Sequence, residues 1–130
     1  MDHYKIKVLD GKQVVVERIY GFWTEQVAHQ YIQDFEQAVE PVTVNNWALL
    51  TDLRNWQTSD QKIVDIISDH FDWNRNHKMT HNANILDKPL ERNQLNKMFK
   101  SAGVEDICKV FATQEEAVDW LNSVGYKVQA

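Results

Sequence analysis

The chain has 130 residues, 43% of them hydrophobic and 25% charged, the balance of one globular domain that can bury a core without disulfides or a metal. Its 14 Lys and Arg against 19 Asp and Glu leave a net charge of −5, which repels phosphate backbones and argues against nucleic acid as a partner. No window approaches the roughly 18 apolar residues that span a bilayer, MDHYKIKVLDG lacks the order of a signal peptide, and Cys108 alone offers no disulfide framework; a single cytoplasmic domain over residues 1–130, without a transmembrane segment, is expected.

YKIKVL alternates Ile6 and Val8 with Lys5 and Lys7, the pattern of a half-buried strand. Asp10-Gly11 suits a hairpin turn. QVVVERIYG continues as an antiparallel second strand, β-branched at Val14, Val15, Val16 and Ile19. Thr24 then caps a helix running to about Val39 and stopped by Pro41. Its apolar face holds Val27, Tyr31, Phe35 and Ala38, with Ala28, Ile32 and Val39 beside them.

NWALLTDL is a continuous apolar run that ends in an acid, as a central parallel strand would. A helix is expected from about Ser59 to Asn76, with Ile63, Ile66, Ile67, His70, Phe71 and Asn74 on its inner side. Asp65, Asp69 and Asp72 make a solvated acidic stripe. Thr58 and Gln61 have the S/T-x-x-Q spacing in which Thr58 caps that helix. MTHNANIL alternates as a strand, although Thr80, Asn82 and Asn84 suit a strand buried on both faces poorly.

Pro89 can occupy the first turn of the next helix, with Leu95, Met98, Phe99 and Ala102 as its stripe and Gly103 at its end. DICKVF is the last strand, with Cys108 as a small core residue. TQEEAVDWLNSVG is a helix with a Thr113–Glu116 capping box, Ala117, Trp120, Leu121 and Val124 inward, and Gly125 closing it. The order β-β-α-β-α-β-α-β-α predicts an α/β fold: a mixed, mostly parallel five-stranded sheet covered by four helices.

That order, together with VVVERIYGFWTEQVAHQYIQDFEQAV, ALLTDLRNW and KVFATQEEAVDWL, resembles the STAS domain of bacterial anti-sigma-factor antagonists and sulfate-transporter tails. It is most similar to small stand-alone STAS-like bacterial proteins grouped with lipid-binding CRAL-TRIO domains. The resemblance implies a non-enzymatic domain that binds either a partner protein or a small apolar ligand such as a lipid, and it is compatible with a homodimer. In the antagonists a Ser of an Asp-Ser-Ser-Gly stretch at the start of the second helix is phosphorylated. The matching WQTSDQK places Ser59, with Thr58, near that position, but the glycine is absent and Asp60 follows the serine.

The candidate site follows from strand direction. In open α/β sheets ligands bind at the carboxyl ends of the strands. Trp23 and Trp56 each follow a strand that points the same way, so their rings can line one rim, either as core or rim packing or as binding anchors for a ligand or partner; Trp47 and Trp120 are expected in the core. Asp52 and Arg54 fall on one side of the same strand end, as a structural ion pair or as part of the binding surface. Asp52 or His81 as a general base of a small enzyme is the alternative from another class, but no nucleophile or oxyanion donor accompanies either. His70, His77 and His81 are badly spaced for one metal ion, and His70 reads as a core imidazole. No Gly-rich phosphate loop, Cys-x-x-Cys, His-Glu-x-x-His or Gly-x-Ser-x-Gly motif occurs, so no cofactor is expected.

Overall fold

The computed structural model describes residues 3–9 and 11–128. Strands β1 (Tyr4–Leu9), β2 (Val14–Gly21), β3 (Trp47–Trp56), β4 (Met79–Ile85) and β5 (Cys108–Phe111) form one sheet in the order β1-β2-β3-β4-β5. Only β1 and β2 are antiparallel; the other three pairs are parallel. Helices α1 (Glu25–Val39), α2 (Gln61–Asn76), α3 (Pro89–Ala102) and α4 (Gln114–Ser123) alternate with the strands, and a short 3₁₀ turn (Glu40–Val42) carries Pro41 just past α1. The expected α/β architecture, with one antiparallel member in a five-stranded sheet and four helices, is therefore what the chain adopts.

Strand order equals chain order, so each crossover advances in the same direction across the sheet. Crossovers of one hand then place every connecting helix on one face. Accordingly α1, α2 and α3 share a core with Val15, Ile19, Leu49 and Leu53 of the sheet. Helix α4 follows the last strand and covers the opposite face, over Val14, Ala48, Leu50, Ala83 and Ile85. Alternation within each strand divides these two sets.

Most helix ends lie where local chemistry puts them. Thr24 accepts the Val27 N–H, Thr113 accepts the Glu116 N–H, and Gly103 ends α3 at φ 70°. The turn between β1 and β2 occupies Gly11–Gln13; Asp10 of the expected hairpin signal lies outside the described residues. The start of α2 differs from expectation. It begins at Gln61, and Asp60 is its cap, its Oδ1 accepting the Ile63 N–H at 3.2 Å. A carboxylate competes better than a hydroxyl for the positive end of the helix dipole, and Thr58 sits too far upstream. Asp60→Ala should cost about 1 kcal/mol and Thr58→Ala almost nothing, as read from urea midpoints. At the other end of the chain Val124, just past the end of α4 at Ser123, is 38% exposed and Trp120 only half-buried, so neither joins Ala117 and Leu121 in the core as expected.

Strand β4 resolves the difficulty of its asparagines. It lies between β3 and β5, and Asn82 and Asn84 are buried on the helical face. Buried amides are tolerated only when hydrogen-bonded. Asn82 donates to the Leu49 carbonyl and the Thr51 hydroxyl, and Asn84 donates to Asn82 Oδ1 at 2.9 Å. Cys108 is buried, and that burial pushes its thiol up to about 12, which leaves it inert as a nucleophile.

Candidate functional site

A partly enclosed hollow of about 50 Å³ lies beneath the carboxyl ends of β2 and β3, between the sheet and helices α1, α2 and α3. Trp23 and Trp56 both form its walls, with Ile63, Ile67, Leu95 and Met98 among the other apolar lining residues. The two indoles reach it by different routes. Gly21 ends β2 at φ 69°, a conformation that favours glycine, and the chain turns so that Phe22 faces solvent while Trp23 tucks inward. Trp23 packs on Tyr31 at 5.0 Å between ring centroids and donates its indole N–H to the Tyr20 carbonyl at 2.9 Å.

Trp56 should point away from the helices by simple alternation with Leu49, Thr51 and Leu53. The β2–β3 register corrects this: Arg18 pairs with Asp52 but Tyr20 with Asn55, so β3 carries one extra residue there. A bulge of one residue reverses the facing of everything after it, and Trp56 joins Trp23. Both rings are buried, at 3% and 5% exposure. They are packed interior walls of the hollow, the first of the two readings their positions near strand ends allow, and not exposed anchors.

Asp52 and Arg54 precede or sit at that bulge and lie on the sheet's other face. Arg54 grips Asp52 with Nε at 3.0 Å and Nη2 at 2.7 Å, its backbone N–H adds a third bond, and Arg18 stands 3.9 Å away. Burial pushes the Asp52 carboxyl up, but the Arg54 hydrogen bonds and both cations outweigh this and hold it below its usual range. A carboxylate so held is a weak proton acceptor. The pair does not line the hollow.

The inner end of the hollow is polar. Glu17, Thr51, Asn84, Tyr31 and His70 all contribute to its lining. Glu17 lies mid-strand in β2, facing the helices with Val15 and Ile19. Tyr31 donates to its Oε1 at 2.5 Å and Thr51 to its Oε2 at 2.8 Å. Burial pushes the Glu17 carboxyl up to about 7, against the pull of those two hydrogen bonds. The Tyr31 oxygen also lies 3.2 Å from His70 Nε2, and burial pushes the His70 imidazole down to about 3, so it is neutral. A chain of hydrogen bonds thus runs from Asn84 through Asn82, Thr51, Glu17 and Tyr31 to His70. His70 Nδ1 is buried without a partner.

His70 occupies the inner face of α2 expected of it, as a core imidazole with one nitrogen unsatisfied. Glu17, Tyr31, Thr51 and Asn84 are site-lining residues that sequence reasoning did not select. One signal for Glu17 was present: alternation in VVVERIYG gives the acid the inward facing of Val15 and Ile19. Among the described residues no group of three or more His, Cys, Asp or Glu side chains could hold a metal ion. His81 lies on the sheet's opposite face, edge-on to Trp120 at 5.1 Å.

Thr58 and Ser59 lie beside the hollow, in the loop before α2. The Ser59 N–H donates to Gln94 Oε1 and its carbonyl accepts from Gln94 Nε2, both at 2.9 Å, which ties this loop to α3. Ser59 lines the hollow on one side and, with Thr58, Leu90 and Lys97, a wider open groove between α2 and α3 of about 560 Å³ on the other. No described helix is long and apolar enough to cross a membrane.

Neither a family model nor a curated protein matches the sequence. Solved structures do match. An uncharacterised protein of the DUF3478 family with a SpoIIAA-like fold, from Shewanella loihica PV-4, superposes with a TM-score of 0.66 at 15% identity, covering 91% of each chain. The anti-sigma factor antagonist SpoIIAA in its unphosphorylated form gives 0.62 at 16% identity, over 92% of this chain and 96% of that one. An anti-sigma factor antagonist from Mycobacterium paratuberculosis gives 0.60 at 15% identity, over 92% and 94%. At such identities the likeness speaks for architecture alone. This chain has a SpoIIAA-like fold, the architecture that the STAS resemblance implies.

Proposed function

We propose that this STAS-like domain works by binding and not by catalysis, and that a small, largely apolar ligand sits in the hollow behind Trp23 and Trp56. The observation that carries this reading is a mostly apolar recess that ends on a few buried polar groups, the usual composition of a ligand site. Its size limits the occupant. An apolar cavity of about 150 Å³ takes up a benzene ring, and the hollow measures about 50 Å³. Only the end of a ligand fits inside; the rest lies toward the mouth. A lipid acyl chain buried along its whole length does not fit. Asp52 and Arg54, on the other face of the sheet, are outside this site.

Comparing native with denatured mass tests for a co-purified ligand, and tryptophan fluorescence during titration with short alcohols and hydrocarbons tests for uptake. Bound material, or a saturable change in emission that is lost in Ile63→Trp, a substitution that fills the hollow, is the expected result. A protein that arrives empty and whose emission ignores every compound overturns the reading.

One observation favours a second reading, a partner protein controlled by phosphorylation. Ser59 stands on the wall shared by the hollow and the open α2–α3 groove, and SpoIIAA, which shares the fold, has also been solved in a phosphorylated form (TM-score 0.54, 17% identity). A phosphate there would add a charge of about −2 to both surfaces. It would also compete with Asp60, whose Oδ1 already accepts the Ile63 N–H in the first turn of α2. Phosphopeptide mapping from cells should find Ser59 or Thr58 occupied; finding both unmodified whenever the protein is expressed removes this reading.

A further inference from the structure

The sheet face opposite the hollow is only partly covered. Helix α4 packs on β3, β4 and β5, and Val128, past its end, joins Val14 in the core of this face. Helices α1, α2 and α3 lie on the other side, so the rest of β1 and β2 forms an open floor. Tyr4, Ile6 and Val8 pack with those helices, which turns Lys5 and Lys7 toward the floor. Arg18 faces it too, beside Asp52 and Arg54 at the end of β3. Lys5, Lys7 and Arg18 are exposed, and Val16 and Tyr20 are half-buried among them. A helix with its side chains is about 10–12 Å across. The face therefore carries a step of about that height, raised where α4 lies and lowered over β1 and β2.

The two levels carry opposite charge. On the floor four cations, Lys5, Lys7, Arg18 and Arg54, stand against one acid, Asp52. Lys5 lies directly across from Arg18, and Lys7, opposite Val16, lies diagonal to it. Like charges so placed on one face of a ladder repel. Asp52 relieves this only in part, because Arg54 holds both its oxygens and Arg18 stands 3.9 Å away. Among the described residues neither lysine has an ion-pair partner. Lysines on an edge strand discourage stray pairing, but that does not account for Arg18, one strand further in. The raised level is acidic: Glu115, Glu116 and Asp119 are exposed on α4, which holds no Lys or Arg.

We propose that this step is a two-fold interface between two copies of the chain, in which α4 of each lies on the β1–β2 floor of the other. A surface that meets itself across a two-fold axis must be complementary to itself in shape and charge. Here a raised acidic part and a lowered cationic part lie side by side on one face, so a single rotation seats both helices on both floors. The Lys5, Lys7 and Arg18 cluster then gains the acids of the partner subunit's α4, and Val16 and Tyr20 supply the apolar part of the contact. A flat anionic membrane fits this face poorly, because α4 stands above the floor with its own acids outward. An interface of this symmetry closes on itself and gives a dimer, not a filament. The hollow lies on the other side of the sheet, so the dimer does not depend on its being a ligand site.

Sedimentation equilibrium of the whole chain tests this. The native chain should dimerise in about 0.03 M salt and associate at least about tenfold more weakly in about 0.5 M salt, where exposed charges are screened. Lys5→Glu with Lys7→Glu gives a chain whose floor and helix are both acidic. Glu115→Lys with Asp119→Lys gives one in which both are cationic. Each double variant alone should be monomeric, and an equimolar mixture should dimerise again as one of each, because both contacts are then attractive. All four positions are exposed, and circular dichroism checks that both variants fold. A native chain that stays monomeric in low salt at millimolar concentration overturns the proposal; retention of that monomer by anionic vesicles or by an acidic peptide then assigns the floor to another occupant. A dimer indifferent to salt and to both double variants overturns it too, since another surface makes the contact. Two monomeric variants whose mixture stays monomeric overturn the pairing of floor with helix.

Discussion

Glu17→Gln should stabilise the protein above pH 7 by up to about 3 kcal/mol and leave it unchanged below pH 4.5. In the folded chain this carboxyl titrates at about 7, against 4.5 when exposed, and each pH unit of that difference corresponds to about 1.4 kcal/mol. A carboxyl whose folded value is raised favours the folded state most below its unfolded value, where it is neutral in both states. That stability is lost as pH climbs through 4.5 to 7. Glutamine is neutral throughout and keeps the shape, so it escapes the loss. Its amide still offers an oxygen to one hydroxyl and can donate to the other.

His70 runs the opposite way. Its folded value near 3 lies below the ordinary 6.5, so it supports the fold above 6.5 and withdraws that support as pH falls toward 3. Between pH 4.5 and 6.5 the two slopes cancel, and the native protein should show little pH dependence from this pair. Glu17→Gln removes one slope and exposes the other: the variant should lose stability on acidification from pH 6.5, where the native chain does not. Urea unfolding at pH 5, 6, 7 and 8 measures this directly. A difference between variant and native protein that stays constant over that range would show that Glu17 is not held in a low-dielectric site.

Trp56→Ala should be the second large effect, costing about 3–5 kcal/mol, the range for a buried tryptophan reduced to alanine. The ring is 5% exposed and forms a wall of the hollow, so its loss both removes apolar burial and merges the hollow with solvent. Trp56→Phe retains most of the packing and should cost less than about 2 kcal/mol. Denaturant midpoints for the two variants, compared with their response to 1-hexanol, separate folding from recognition: the alanine variant should lose both, the phenylalanine variant should keep its fold and retain measurable uptake. An alanine variant as stable as the native chain would mean that this ring contributes little to the core.

Much of the architecture was legible in the chain itself. Alternation in YKIKVL, the continuous run NWALL, Thr24 and Thr113 before helices and Gly103 after one are local signals whose physics acts within a few residues, and the elements they imply are present. The inner face of α2, His70 included, followed from the 3.6-residue period in the same way. One local signal misled: the S/T-x-x-Q spacing points to Thr58 as the cap of α2, but the helix starts later and Asp60, at its end, takes that place.

Other features belong to the tertiary structure alone. The extra residue in β3 appears only in its pairing with β2, yet it decides that Trp56 shares a wall with Trp23 while Asp52 and Arg54 remain on the far face. Glu17, Tyr31, Thr51, His70 and Asn84 lie on five different elements, β2, α1, β3, α2 and β4. No spacing in the chain links them, because register and helix packing bring them together. The amino-acid order determined which segments would form and which of their sides would be apolar, since those depend on near neighbours. The size of the hollow, the burial that raises Glu17 and the unpaired nitrogen of His70 were decided when distant elements packed.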